Sequence, residues 1–382
     1  MARYRWTILA LGTGAQSAYS AVFLGIPVLA PALQDTYDLD LAQLGLALAA
    51  ANGGSIFTLL AWGLLADRVG ERAVLGAGIA GCGAGLVVAA YAPSFAVLVL
   101  ALIVGGALGA SVNAASGRAV MSWFAADQRG FALGIRQTAL PMGGLIAALA
   151  LPPIEAAGGV RAGLLALAAG CFAAAVAGLG GLREAPRGED ELTDIGSPVR
   201  DPRMWKLSVG SALILAAQIS ILSFLILFLH QERGLTTAVA AGVFALIQAL
   251  GAALRILSGR WSDRRHARIA PLRQLALALT ATLAAAAALL SAPLAILIPV
   301  FVVACALSLS WNGLSFTAAA ELAGRARAGA ALGFQQTALA ITSAAAPPAF
   351  AAVVEAGSWS LAYGLAAAMP VAGIAVMRQL SL

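Results

Sequence analysis

The sequence predicts an all-α integral membrane protein: twelve transmembrane helices in two pseudo-symmetric six-helix bundles, with the N and C termini cytoplasmic. Three observations predict it. Of 382 residues, 61% are hydrophobic and only 10% are charged, against the ~25% charge that soluble domains carry. Apolar stretches of about 20 residues, the length that crosses a bilayer as a helix, recur from end to end. A segment also repeats: RGFALGIRQTAL from Arg129 returns as AGAALGFQQTAL from Ala328, 199 residues later.

The spans are read at about 6–33, 42–66, 73–91, 95–122, 130–153, 162–182, 204–230, 236–259, 272–290, 294–319, 328–354 and 358–378. The first is too long for the apolar core of a signal peptide, and no small-residue cleavage site stands out before the second. A charged turn, GLLADRVGER, separates the second from the third. The fourth carries Asn113 and ends near Arg118, and the fifth opens at Gly130 and carries Pro152-Pro153 late. The sixth ends at REAPRGEDELTDIGSPVRDPR (Arg183 to Arg203), the only long hydrophilic stretch. The eighth carries Gln248 and Arg255, the tenth Asn312, and the eleventh repeats the late proline pair at Pro347-Pro348. Ala, Gly and Leu dominate throughout, and small residues let transmembrane helices approach closely.

Charge orients the chain. With the N terminus inside, Arg3, Arg5, Arg68, Arg72, Arg129 and the basic clusters after spans six, eight and ten are cytoplasmic, and Arg161 and Arg233 lie opposite. This is the positive-inside pattern. The net charge of +6 therefore reports topology and implies no nucleic-acid partner. Cys82, Cys171 and Cys305 lie inside separate spans as packing residues. His230 and His266 form no metal cluster, and no Ser-His-Asp set or phosphate-binding loop is present. The reading is a membrane protein of the cytoplasmic membrane that is not an enzyme and takes no cofactor.

Two halves follow from the echoes. Residues 1–182 form an N-terminal six-helix bundle, 183–203 a cytoplasmic linker and 204–382 a C-terminal six-helix bundle. Asn113 and Asn312 share the 199-residue offset, while GLLADR (Gly63 to Arg68) and GRWSDR (Gly259 to Arg264) share an offset of 196, as do Asn52 and Gln248. Parallel halves of this kind are a signature of secondary transporters.

These residues carry a family resemblance. GLLADRVGERAVL, between spans two and three, resembles the signature of the major facilitator superfamily, and GRWSDRR after span eight resembles its weaker second copy. The resemblance covers the whole chain and implies a monomeric transporter working by alternating access. It implies a gating motif of Gly63, Asp67, Arg68, Gly70 and Arg72, with Gly259, Asp263 and Arg264 in the second copy. Gly63 is expected where two helices cross closely. Asp67 is expected to face the helix start near Gly329, and Asp263 the helix start near Gly130, where a carboxylate gains about 0.3–1 kcal/mol.

Ionisable residues within the bilayer are expensive and point to function. All seventeen Asp and Glu fall in loops or at helix ends, but Arg136 and Arg255 sit inside spans, with Arg118 near the end of another. Arg136 lies roughly 9 Å along its span from Gly130, a depth from which it can also snorkel. Gln137 beside it repeats as Gln336, so Arg136-Gln137 and Gln335-Gln336 are expected to line a cavity. Arg255, four residues before Gly259, follows a pattern that resembles the monocarboxylate and oxalate/formate branches, where the equivalent arginine binds the substrate carboxylate. A gate residue bonded to backbone carbonyls is the other reading. Gln248, Asn113, Asn312, Gln16, Tyr19 and Asn52 complete the expected solute contacts, with Gln218, Ser223, Trp311 and Phe334 nearby.

A guanidinium stays charged and offers a planar fork of donors to an anion. The expected partner is a small anionic solute, an organic acid, moved across the membrane as a symport with protons or by exchange for a counter-anion. The alternative is a drug/proton antiporter of the same superfamily, which the lack of an acid in the early spans disfavours. A sensor on this scaffold is expected to add a soluble domain.

Overall fold

The computed structural model describes residues 4–124, 129–183, 200–265, 267–323 and 328–380; for some helical residues, Asp67 among them, only the backbone is described. Most of the linker expected over 183–203, and His266, lie outside the described residues. The described chain consists of fifteen α-helices. Ten helical stretches are long and apolar enough to cross a membrane, with a shorter apolar one at Leu41–Ile56. The chain divides into two compact units, Met1–Gly188 with Ile226–Ala245, and Glu189–Leu225 with Leu246–Leu382.

The first unit begins with α1 (Tyr4–Gly25), α2 (Ala30–Tyr37) and α3 (Leu41–Val69). Asp40 starts α3 as a capping box: its carboxylate accepts from the Gln43 backbone while the Gln43 side chain accepts from the Asp40 backbone. Gly70 ends α3 and starts α4 (Glu71–Ala90), with φ 93, a left-handed value that suits glycine. That backbone need accounts for one residue of the sequence signature.

Next come α5 (Phe95–Gly109), α6 (Ser111–Trp123), α7 (Arg129–Gln137) and α8 (Ala139–Gly181). At 43 residues α8 is roughly 65 Å along its path, about twice the bilayer core. It turns at Gly158 and Gly159, whose φ values of −145 and 66 leave the helix. The fifth and sixth expected spans are thus one element with a glycine corner. Helix α8 packs against α1 and α4, and α5 packs against α3 and α4.

Close approach falls at other glycines than the sequence suggested. A Cβ on Gly54 would lie 1.9 Å from the Ile103 carbonyl oxygen, and one on Gly106 would lie 1.9 Å from that of Ala51. The α3–α5 crossing therefore admits no side chain at these two positions. At Gly63 an added Cβ meets nothing within 4 Å among the described residues, and Gly259 is equally open. The close crossing expected at Gly63 is not made there.

The second unit is built from the body of α9 (Pro202–Gln231) and of α10 (Thr237–Arg265), then α11 (Ile269–Ala288), α12 (Leu294–Ser308), α13 (Asn312–Ala323), α14 (Ala328–Ala356) and α15 (Trp359–Val376). Helix α11 packs on α15 and α12, and α13 on α14. An aromatic core of Phe224, Phe301, Phe350, Trp359 and Tyr363 joins α9, α12, α14 and α15.

Three expected spans are interrupted. The fourth breaks at Ala110, between α5 and α6, and the tenth over residues 309–311, between α12 and α13. In the tenth, the hydroxyls of Ser308 and Ser310 bond the carbonyls of Cys305 and Leu307, three residues back. The Leu309 and Ser310 amides also turn back three residues, to Ala306 and Leu307. Such local bonds compete with the regular helix. The fifth span breaks at Thr138, between α7 and α8, because Pro141 has no N–H for the Gln137 carbonyl and its ring crowds that turn. The repeat places Ala340 at the matching position, and α14 runs unbroken.

Gly54→Ala is expected to lower thermal stability by about 1–3 kcal/mol through overpacking, while Gly63→Ala leaves the unfolding midpoint within error of the parent. Thermal unfolding of both variants in one detergent checks the contrast.

Candidate functional site

A broken helix releases carbonyls, and inside a bilayer each must find a donor within the protein. In the first unit, Tyr19 donates its hydroxyl to the Gly106 carbonyl at 3.0 Å. Thr58 Oγ1 and Trp62 Nε1 both donate to the Ala107 carbonyl at 2.7 Å. Arg136 Nη2 donates to the Asn113 carbonyl at 3.0 Å. In the second unit, Arg255 Nε donates to the Leu309 carbonyl at 3.1 Å and Ser258 Oγ to that of Ser310 at 2.7 Å. Trp311, within the break, donates Nε1–H to Gln218 Oε1 at 3.0 Å. Arg255 thus has the backbone-bonded place foreseen as its second reading. Tyr19, buried and committed to Gly106, serves the fold.

Arg136 is built differently. Its Nε donates to Ser116 Oγ at 2.9 Å, and Nη2 donates to Gln16 Oε1 at 3.3 Å as well as to Asn113. Gln16 and Ser116 are buried. Gly117, on the next residue of α6, leaves room: a Cβ there would stand 3.8 Å from the Arg136 Cζ. Three of the five guanidinium N–H groups therefore face neutral oxygens. The two on Nη1 bond none of the described residues, and no carboxylate lies in the set. Because α7 ends one residue later, at the break that Pro141 imposes, Arg136 sits on the last turn of a short segment.

The second unit repeats the arrangement without the charge. Gln335 Nε2 donates to Ser315 Oγ at 2.5 Å, and Ser315 and Ser211 share a hydrogen bond of 2.5 Å. Arg136 to Ser116 and Gln335 to Ser315 are both separated by 20 residues. The sequence repeat is therefore a repeated hydrogen bond between corresponding helices. Gln335, Ser315 and Ser211 are fully buried. Gln335 Oε1, Asn312 Oδ1 and both amide atoms of Gln248 are buried with no bonding partner among the described residues.

Other expected contacts are spread more widely. Asn52 is half-buried and its carbonyl accepts from Ser55. Gln137 and Gln336 are half-buried on α7 and α14. Arg68, Arg72 and Arg264 are exposed, and Asp263 accepts from Arg268 at 2.5 Å, an ion pair that its expected helix-end role left out. The side chain of Asp67 and the surroundings of Gly130 and Gly329 lie outside the described residues.

Sequence reading missed one pair. Glu71, on the first turn of α4, is buried and accepts from Arg118 Nε of α6 at 2.9 Å. The signal was available: Glu71 is an acid between Arg68 and Arg72, in a turn otherwise basic after Asp67. The second unit has a pair of reversed polarity, Arg268 at the start of α11 with Glu321 of α13 at 3.0 Å.

The profile of the Major Facilitator Superfamily matches residues 11–347, most of the chain. This chain belongs to the major facilitator superfamily. Uncharacterized MFS-type transporters from two strains of Mycobacterium tuberculosis are 34% identical over 377 residues, covering 97% of this chain and 84% of each relative. Crystal structures of a bacterial homolog of the human lysosomal transporter Spinster, inward-facing, share its fold. The unoccupied form superposes with a TM-score of 0.78 at 18% identity, over 98% of this chain and 95% of that one. The occupied form has a TM-score of 0.77, also at 18% identity, with the same coverage. This superfamily member is a multi-pass membrane protein with a transporter fold, and not an enzyme fold.

Ser258→Ala removes the donor to the Ser310 carbonyl at the tenth-span break. A buried carbonyl left without a partner costs about 1–3 kcal/mol, so this variant is expected to unfold at a lower temperature, as differential scanning fluorimetry will read.

Proposed function

We propose that this superfamily member is a secondary transporter of a small anionic solute, of the organic-acid class, working by alternating access in the cytoplasmic membrane. One observation carries the reading. The Arg136 guanidinium is held by neutral oxygens only and keeps the two Nη1–H donors unbonded by the described residues. A guanidinium remains charged in nearly any protein setting, and a buried cation without a buried counter-charge is costly. An anion that arrives and leaves supplies that counter-charge during transport. Buried amides of the second unit, Gln248, Asn312 and Gln335, add neutral hydrogen-bonding groups of the kind that select among small anions. Arg255 positions the tenth-span break and contributes to the field felt by the solute.

The remaining expectations belong to the same reading: twelve spans, both termini cytoplasmic and a monomer. The two halves are separated by a linker at 183–203. The acid-free early spans disfavour drug/proton antiport, and the test below includes it as an outcome.

A thermal-shift screen of the purified protein tests the proposal with small carboxylates, inorganic anions and a panel of lipophilic cations. A solute at a hundred times its Kd stabilises the native state by about 2.7 kcal/mol. We expect one class of anion to raise the melting temperature and Arg136→Gln to abolish the rise. That variant copies Gln335, which bonds its serine in the second unit, so folding is retained. Stabilisation by lipophilic cations alone overturns the anion reading in favour of drug export, and unchanged anion binding in Arg136→Gln moves the site elsewhere.

A further inference from the structure

The sequence offers no acid in mid-membrane to carry a proton, yet the structure buries one carboxylate. Glu71 is the only buried acidic residue among the described residues, with 11% of its side chain exposed. Its printed ion partner is Arg118 of α6, whose side chain is 37% exposed, so water reaches the pair from that side. The same short helix holds Arg136. The Asn113 carbonyl and Ser116 hydroxyl accept from the Arg136 guanidinium, which lies against Gly117, and Arg118 is the very next residue. Residues 113–118 of α6 thus carry the candidate anion-binding arginine on one side and the buried acid's partner on the other.

Other charges leave Glu71 to this one helix. Helices α8, α5, α6, α3 and α1 pack against α4. Helix α5 has no ionisable side chain. On α3, Arg68 is exposed and the Asp67 side chain is not described. On α8, the Arg161 guanidinium lies 3.9 Å from the ring of Tyr91, the C-cap of α4, at the opposite end of that helix from Glu71, and Glu155 precedes it by less than two turns. On α1, Arg5 lies over Trp6 and Phe124, and Tyr19 bonds Gly106. On α4 itself, Arg72 is exposed and Cys82 lies buried three turns on.

The geometry points to Glu71 as the proton-coupling group of this transporter, linked through α6 to anion occupancy at Arg136; the inference rests on the anion reading above. The Glu71 carboxylate takes a proton from hydronium, leaving water, and Arg118 loses its ion pair while staying charged. A bound anion adds negative charge to the same unit and so favours the protonated, neutral Glu71. By linkage the proton then favours the anion to the same degree. The coupled direction is therefore symport of an anion with a proton.

The test uses the purified full-length protein in weakly buffered detergent, with pyruvate, nitrate and oxalate as probes that stay ionised over the pH range. An indicator dye reads proton uptake and thermal shift reads binding. Binding is expected to take up as much as one proton, and apparent affinity to fall about tenfold per pH unit above the Glu71 midpoint. Glu71→Gln should bind the anion with no proton uptake and no pH slope. Arg118→Gln, a second variant should the first misfold, removes the counter-charge, leaves Glu71 protonated beforehand and also abolishes uptake. Proton uptake unchanged in either folded variant overturns the assignment while the anion reading stands. Failure of all three probes to bind the parent protein overturns both.

Discussion

The need to satisfy every backbone carbonyl in a hydrocarbon solvent organises this protein. A continuous helix meets that need by itself, but the fourth and tenth spans break, and their freed carbonyls draw polar side chains inward. Tyr19, Thr58, Trp62, Arg136, Arg255 and Ser258 each donate at or beside a break. The polar residues that make this chain unusual among apolar sequences are thus, first, a repair of its backbone. Function draws on what the repair leaves over, chiefly the outer nitrogen of Arg136.

The two units meet this requirement with related parts and different chemistry. A serine one turn and a half from the break receives a long polar side chain from the following span in both: Ser116 from Arg136, Ser315 from Gln335. The first unit places a charge there and interrupts the span behind it with Pro141. The second places a neutral amide and, with Ala340, lets α14 run on. Ion pairs at the helix starts follow the same logic with opposite sign, Glu71 with Arg118 and Arg268 with Glu321. Common backbone architecture and divergent electrostatics together describe a duplicated unit whose copies have specialised.

Much of this was legible in the sequence because the bilayer imposes lengths and polarity that composition displays directly. The apolar spans, the repeat at Gly130 and Gly329, and Arg136 with its partner position Gln335 are all visible without coordinates. Helix breaks were not, since a glycine- and serine-rich segment such as residues 105–111 reads equally well as close packing. Pro141 was in plain view, but its effect depends on the carbonyl four residues back. Gly63 shows the opposite failure: a motif suggested crowding, whereas the crowded positions are Gly54 and Gly106, set by where α3 and α5 cross. Glu71 escaped notice because burial at a helix end depends on neighbouring helices, which no local pattern records.

The likeness between the Arg136 and Gln335 sites has an evolutionary consequence. Arginine and glutamine codons can differ by a single base, and each site already has its serine, its helix and its space. One transition at either position is thus enough to give a unit a cation or take it away, with the surrounding hydrogen-bond frame left standing. Descendants of this chain can therefore explore anionic, neutral and doubly charged cargo preferences by point mutation, while selection on folding barely notices.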